Sequence, residues 1–422
     1  MSSKNNILLG LDANGKKLFT EDNDYRHIML MAPHGSGKGV CFVIPSLLTF
    51  EESAIVHDIK MENYELTSGY RASRGHKIFM WNPLSDEGKT SRYNPLDFIS
   101  SDKEKIIDDV QKIAHLLIRD SSDYSAQAKN LFTSLVLYLA TNTAKTKSRN
   151  KSLGEIARIL VGDLIQEFSE AVEKLKNDLH PFAVSQVKSF LSKDKHEQNS
   201  TIRVLSSYLA PWNNPLIDYA TSKSDFDIAD FKKNKTTLYV GLNPADIDRA
   251  QPVMQFFYDH AFERLMTTAQ QLGHNDKNGG VCLFMDEFYS IGKSEMLASS
   301  MPYFRGYKIK LFLITSDIER IENVYGETGT SAIISDCSSK IFFAAKSFKT
   351  ANKILQICQG KLADKSKNAS LLSWQDVAGL ALDSQIIAID GEQPIISKKV
   401  FYYEDEEMKK RIVTPKHFTD LI

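Results

Sequence analysis

The chain has no charge surplus. Its 52 lysines and arginines face 53 aspartates and glutamates over 422 residues, a net charge of -1. No overall basic field draws it to nucleic acid, so contact with DNA has to come from a local patch or from assembly. Cysteine is scarce: Cys41, Cys282, Cys337 and Cys358 show no paired metal-ligand spacing. Buried, reduced thiols in a cytosolic protein are the expectation. No apolar run approaches the roughly 18 to 20 residues that span a bilayer. Met1–Asn6 is polar and lacks the apolar core of a signal peptide. The expectation is a soluble cytoplasmic protein. Repeats and low-complexity tracts are also missing. What remains is an ordinary globular composition, 42% hydrophobic and 25% charged, long enough for two domains or for one large α/β domain with an insertion.

The most informative stretch is Ala32-Pro-His-Gly-Ser-Gly-Lys-Gly39, between the apolar runs Ile28–Ala32 and Val40–Ile44. It reads as strand, glycine-rich turn and helix start. Such a turn points backbone N–H groups at one space, and the helix N-terminus faces the same space, which makes an anion site. Gly35 and Gly37 permit positive φ and close approach to a ligand. Lys38 adds a mobile charge able to reach the outer phosphates of a nucleotide. The candidate nucleotide-binding residues are therefore Pro33, His34, Gly35, Ser36, Gly37, Lys38, Gly39 and Val40. Two positions depart from the phosphate-loop pattern: Ala32 stands where glycine opens it, and Gly39 stands where a hydroxyl helps hold magnesium.

A second stretch, Gly280-Val-Cys-Leu-Phe-Met-Asp-Glu-Phe288, reads as a buried parallel strand ending in two acids. Carboxylates there project into the crevice where open α/β sheets bind ligands. Asp286 is expected to steady Mg2+ and Glu287 to orient or deprotonate an attacking water, from the strand next to the phosphate-loop strand. Ser53–Lys60 is a further strand, with Asp58 at the same kind of end.

The pattern along the chain is βαβαβ, through strands near Ile28, Ser53 and Gly75, after a short hairpin turning at Asn14-Gly15. From about Asp102 to Asp218 helical periodicity replaces strand signals, over Lys105–Leu117, Ala126–Ala140, Leu153–Leu175 and Ser200–Leu209. The basic run Thr143–Lys151 reads as a solvated loop. Strands return at Thr236–Leu242, and a helix with an aromatic core stripe is expected from Pro252 to Leu272. The acidic strand follows, then strands at Lys308–Thr315 and Ser339–Ala345, a polar link at Lys361–Ser370, and a closing hairpin around Gly391. The fold expected is a nucleotide-binding α/β domain, 1–101 and 226–422, with an all-α insertion at 102–225.

Several of these stretches coincide in order with one family. They are Met31–Val40 with Ile44–Leu48, Val56–Tyr64, Thr67–Arg71, Asn82-Pro83, Tyr93–Leu96, Asp286–Phe288, Arg305–Tyr307 and Tyr325-Gly326. From about Leu9 to about Arg411 the chain resembles the cytoplasmic ATPase part of the type IV secretion coupling proteins, the TraG/TraD-like group. The resemblance implies a RecA-like P-loop NTPase domain with a mainly parallel sheet and an inserted all-α domain. It implies ATP and Mg2+ held between neighbours of a homo-oligomeric ring, a hexamer, that recruits DNA or protein substrates. It also implies contact with other secretion-system components at the inner membrane. Arg305 falls where the family places an arginine that reaches a neighbour's nucleotide, a role suited to a planar guanidinium. Ser316 stands where the family usually has a glutamine that senses the γ-phosphate. Most members carry N-terminal transmembrane helices.

An ATP-driven motor feeding substrates to a secretion channel is the leading expectation. A nucleotide-gated docking platform with little hydrolysis, favoured by Ser316, and a DNA-translocating motor unrelated to secretion stay open.

Overall fold

The computed structural model describes residues 6–415 except 13, 86–88, 120–121, 142–148, 162–163, 274–278 and 363–372. The basic run expected at Thr143–Lys151 lies outside the described residues up to 148, and the polar link expected at Lys361–Ser370 lies outside them from 363 onward. The chain forms two compact units. One comprises Met1–Met80, Ile228–Gln251 and Ala261–Ile422, the other Trp81–Asp227 and Pro252–His260. The helices expected within 102–225 fall in the second unit.

Eleven strands make up one sheet: β1 (Leu8–Leu11), β2 (Lys17–Phe19), β3 (His27–Met31), β4 (Ser53–Asp58), β5 (Lys77–Trp81), β6 (Thr236–Gly241), β7 (Val281–Met285), β8 (Ile309–Thr315), β9 (Cys337–Phe342), β10 (Ser384–Ile389) and β11 (Ile395–Lys398). Their spatial order is β2-β1-β11-β10-β9-β3-β8-β7-β4-β6-β5. From β9 to β6 every neighbour is parallel. From β9 outward through β10, β11, β1 and β2 the pairing is antiparallel. Every residue of β3, β4, β6, β7, β8 and β9 is buried. Two-sided burial explains why these strands read as continuous apolar runs rather than alternating ones. The rings of Phe50, Phe284, Phe312 and Phe42 interlock in this core, with centroids 5.3 to 6.2 Å apart.

The strand order corrects one expectation. β7, which carries the acids, is not next to β3: β8 pairs with both and separates them. Hydrophobic pattern and turn chemistry set a strand's face and length, whereas neighbours in a parallel sheet are chosen by crossovers that no local signal encodes.

Proline shapes two helices. After the phosphate loop the chain takes a π-helical turn at Gly39–Val43 and becomes α-helical at Ile44–Leu47. Pro45 has no N–H to give, and in a regular helix its ring would crowd the Cys41 carbonyl. The widened turn relieves both, and the helix ends two residues after Pro45. The second helix, Ile247–Leu272, begins before Pro252 and keeps that residue inside, rather than starting on it as expected. Phe256, Phe257, Tyr258 and Phe262 on it are buried.

In the second unit the helices are Ile106–Leu117, Ser125–Ala140, Leu153–Ile159, Leu164–Lys174, Pro181–Leu191, Lys195–Leu209 and Pro215–Ala220. The helical stretch expected at Leu153–Leu175 is thus two helices, and Pro181–Leu191, started by its proline, was not anticipated. An aromatic cluster supports this unit. Trp81 stacks on Phe257 at 4.3 Å, and the Tyr93 hydroxyl lies 2.9 Å from His260 Nδ1.

Two buried polar groups fix the phosphate-loop side of the sheet. Arg71, on the helix Glu62–Ser73, is 1% exposed. Its guanidinium donates to the carbonyls of Leu47 (3.1 Å), Phe50 (2.7 Å) and Glu52 (2.6 Å), and to Thr237 Oγ1 (2.6 Å). It thereby ties the end of the phosphate-loop helix to β4 and β6. Asp58, at the end of β4, accepts from the Tyr64 amide at 2.8 Å and from Asn63 Nδ2 at 3.0 Å. Burial outweighs these bonds and pushes the Asp58 carboxyl up to about 7.

Replacing Arg71 with Met leaves three buried carbonyls without their donor. It should cost about 3–5 kcal/mol in denaturant unfolding, against less than about 1 kcal/mol for Arg74→Met at the half-exposed position nearby. For Asp58 the folded carboxyl holds its proton after the unfolded one has lost it. Stability therefore falls as pH rises from about 4 to about 7, by up to roughly 1.4 kcal/mol per pH unit. Asp58→Asn should flatten that slope in unfolding curves measured across this range.

Candidate functional site

β3 ends at Met31, and the Ala32 amide continues its ladder by donating to the Thr315 carbonyl at 2.8 Å. The loop then turns through Gly35 at φ 76° and Gly37 at φ 88°, conformations that cost any residue with a Cβ. Ser36 donates back to the Pro33 carbonyl through both Oγ (2.5 Å) and its amide (3.1 Å). Lys38 enters the helix in αR geometry, with Gly39 opening the π turn. Around Gly39 nothing would meet an added Cβ, so open space lies beside the helix N-terminus, where an anion is favoured.

Across this loop stand the two acids. Lys38 Nζ lies 2.9 Å from Asp286 Oδ1 and is hydrogen-bonded to Glu287 Oε1. His34 Nδ1 is 3.3 Å from the same Glu287 oxygen. Although β8 intervenes between the strands, the lysine's four-carbon stem spans the gap. Glu287 is 7% exposed and sits at φ 50°, ψ 48°, the left-handed region. This position turns the chain sharply away from β7 and sends the carboxylate back over the loop. Its Oε2 is buried without a hydrogen-bond partner. Burial, then the charges of Lys38 and Arg320, hold His34 below the usual imidazole range, which keeps it neutral near pH 7.

These groups line a cavity of about 930 Å³, with walls from the residues that follow β3, β4, β6, β7 and β8. All of these segments leave the C-terminal ends of parallel strands, the edge at which α/β sheets bind ligands. Of the expected residues, His34, Gly35, Gly37, Lys38, Gly39, Val40, Asp58, Asp286 and Glu287 line it. Pro33 and Ser36 belong to the same loop and shape it from behind.

Two expected residues are elsewhere. Ser316 is 5% exposed at the end of β8, and its hydroxyl donates to Asp317 Oδ2 at 2.9 Å. It is not among the lining residues. Arg305 is exposed in a short turn before β8, whereas the cavity residues follow the strands.

Conversely, Arg320 lines the cavity and was not anticipated. Its guanidinium lies 5.8 Å from the centre of the Tyr289 ring. The signal was Asp317, whose side chain caps the helix Ile318–Asp336 through the Arg320 amide at 2.9 Å. That cap puts Arg320 in the first turn at the same sheet edge. Asn63, within the stretch Val56–Tyr64, also lines the cavity, as do Gln251 and Tyr289, which carried no motif.

Among the described residues no cluster of three or more His, Cys, Asp or Glu side chains could hold a metal. The donor set, a partly exposed Asp286 beside a phosphate loop, fits a hard cation that takes most of its oxygens from phosphates and water.

A family model for type IV secretory system conjugative DNA transfer matches residues 2–421. The VirD4 protein of Rhizobium rhizogenes is 26% identical over 423 residues, covering 93% of this chain and 60% of that protein. The conjugal transfer protein TraG of Escherichia coli is 27% identical over 368 residues, covering 82% and 57%. The chain thus spans about 60% of the length of such relatives. Among solved structures, the bacterial conjugative coupling protein TrwBdeltaN70 superposes with a TM-score of 0.68 at 14% identity, over 93% of this chain and 88% of that one. TrwB in complex with the ATP analogue ADPNP gives 0.67 at 13% identity, over 93% and 89%. The fold is that of a RecA-like P-loop NTPase with a mainly parallel sheet. No helix among the described residues is long and apolar enough to cross a membrane. By the reach of the family model along its whole length, the chain belongs to the type IV secretory system conjugative DNA transfer family.

Proposed function

We propose that the chain is the ATP-hydrolysing motor region of a coupling protein, which recruits DNA or protein substrates and couples hydrolysis to their delivery to a type IV secretion channel. The observation that carries this reading is the meeting of Lys38 with Asp286 and Glu287 over a glycine loop. TrwB, which shares the fold, has been solved with ADPNP and with ADP and Mg2+.

In the proposed reaction the loop amides and Lys38 bind the β- and γ-phosphates of ATP. Glu287 has one oxygen without a partner, and it orients a water and takes its proton. The water oxygen bonds to the γ-phosphorus as the bond to the bridging oxygen of ADP breaks. Asp286 would hold Mg2+ by way of water, and that ion would neutralise charge on the phosphates. Arg305, outside its own cavity and exposed, is assigned to the nucleotide of a neighbouring copy in a ring, a hexamer. The helical insertion, 102–225, is assigned to cargo selection, since none of its described residues lines the cavity. The place of work is the cytoplasmic face of the inner membrane, beside other secretion components.

A second reading, a docking platform that uses nucleotide to set assembly, draws on Ser316. Its hydroxyl is occupied by Asp317 and is too short to reach a γ-phosphate unaided.

ATP turnover with and without DNA separates the two. Glu287→Gln should keep ATP binding and lower turnover by at least about 100-fold, and Lys38→Ala should lose both. Arg305→Ala should leave ATP affinity intact and abolish turnover only in assembled rings. A wild type that binds ATP but whose turnover neither Lys38→Ala nor Glu287→Gln changes would sink the motor.

A further inference from the structure

A backbone loop binds phosphate only if its carbonyl oxygens, which repel anions, are turned away. In this loop four carbonyls are engaged by the protein. The Pro33 carbonyl accepts from Ser36, and the Gly37 carbonyl accepts from the Cys41 amide and Cys41 Sγ, both at 2.9 Å. The other two are taken by lysines from far along the chain. Lys346 Nζ donates to the His34 carbonyl and Lys399 Nζ to the Ser36 carbonyl, each at 3.3 Å. The amides of Gly35, Gly37 and Lys38 donate to no backbone carbonyl among the described residues.

Lys399 is the more unusual of the two. It follows β11 and is 7% exposed, and its Nζ sits 3.5 Å from the centre of the Phe343 ring. Among the described residues no carboxylate pairs with it. Its neighbours also grip the loop: the Tyr402 amide donates to the Val40 carbonyl at 3.1 Å, and the Phe401 ring would be 3.5 Å from a Cβ on Gly37. Burial lowers the Lys399 ammonium from the usual lysine range and outweighs the opposing pull of Cys41 and Asp383, the expected cost of holding a cation from water without a direct ion pair. A structural tie to one carbonyl does not require a charge there, because a neutral donor would serve.

We propose that Lys399, seconded by Lys346, is a positioning residue for nucleotide. It fixes the Ser36 carbonyl away from the cavity and lends the phosphate loop a positive charge from behind, which adds to the attraction for a bound polyphosphate. This rests on the nucleotide reading of the same site.

The test is calorimetric titration of ATP, ADP and adenosine into the intact chain, with melting temperature measured in the absence of nucleotide. Lys399→Met should weaken ATP by about tenfold, ADP less and adenosine not at all. The nucleotide-free melting temperature should stay level or rise, because an apolar side chain of similar size replaces a buried charge that has no direct ion pair. Lys399→Arg should restore most of the loss. Lys346→Met, at an exposed position, should weaken ATP in the same direction to a smaller extent, and it carries the test if Lys399→Met does not fold. Unchanged ATP affinity in both variants overturns the inference. So does a loss shared equally by ATP, ADP and adenosine with a lower melting temperature, which marks a scaffold role alone. A wild type that fails to bind ATP overturns the nucleotide reading and this inference together, whereas binding by the wild type with unaltered variants overturns only the inference.

Discussion

Everything at the phosphate-loop edge depends on one ammonium placed between two carboxylates. Asp286 and Glu287 are consecutive, and Glu287 is nearly buried, so their mutual repulsion is poorly screened by water. At an effective dielectric of about 20, two unit charges roughly 4 Å apart interact by about 4 kcal/mol. Lys38, in contact with both, converts that repulsion into attraction. A ligand that draws Lys38 away has to leave positive charge behind it. The site therefore suits a ligand that brings an anion together with a cation, the charge form of the nucleotide proposed above.

The sheet makes this contact possible at a distance. β3 delivers the loop and β7 the acids, and β8 lies between them. A lysine is long enough to cross one intervening strand, whereas a shorter cationic side chain at position 38 would not be. The loop must then be held at a fixed height above the strand ends. Arg71 does this from one side by gathering the carbonyls of Leu47, Phe50 and Glu52. The segment 399–402 does it from the other, against Ser36 and Val40. Both supports are remote in sequence from the glycine loop, so the geometry of a local motif is set by long-range contacts.

That division accounts for what was legible beforehand. The glycine loop, the acidic strand and the parallel core were readable because each has a local cause: positive φ at Gly35 and Gly37, continuous apolar runs under two-sided burial, carboxylates at a strand's end. The contact of Lys38 with Asp286 followed from the class of fold. The intervening β8 did not, because strand order is a property of crossovers. The helix start near Pro252 was misjudged for another reason. Proline forbids a particular hydrogen bond, and the chain met that demand with a π turn in one place and a tolerated interior proline in the other. Arg320 was signalled only indirectly, by the Asp317 cap of its helix, and Lys399 was invisible because a lone cation on a surface-like stretch has no pattern and takes its meaning only from what the fold sets beside it.

The distribution of cations around the cavity bears on how the site works in an assembly. Lys38 belongs to the acids until a ligand releases it. Arg320 reaches the rim from the first turn of its helix, stacked near Tyr289. Lys399 acts from behind the loop, and Arg305 lies outside the cavity altogether. A transferring phosphoryl group spreads its negative charge over three oxygens, and the groups of a single chain approach it from the loop side and the rim. The face opposite the loop has no expected arginine from the same chain. A site well prepared to bind polyphosphate and less prepared to stabilise its transfer fits the proposed ring, in which a neighbouring copy completes it. In that proposed ring the arrangement would keep isolated copies from wasting nucleotide.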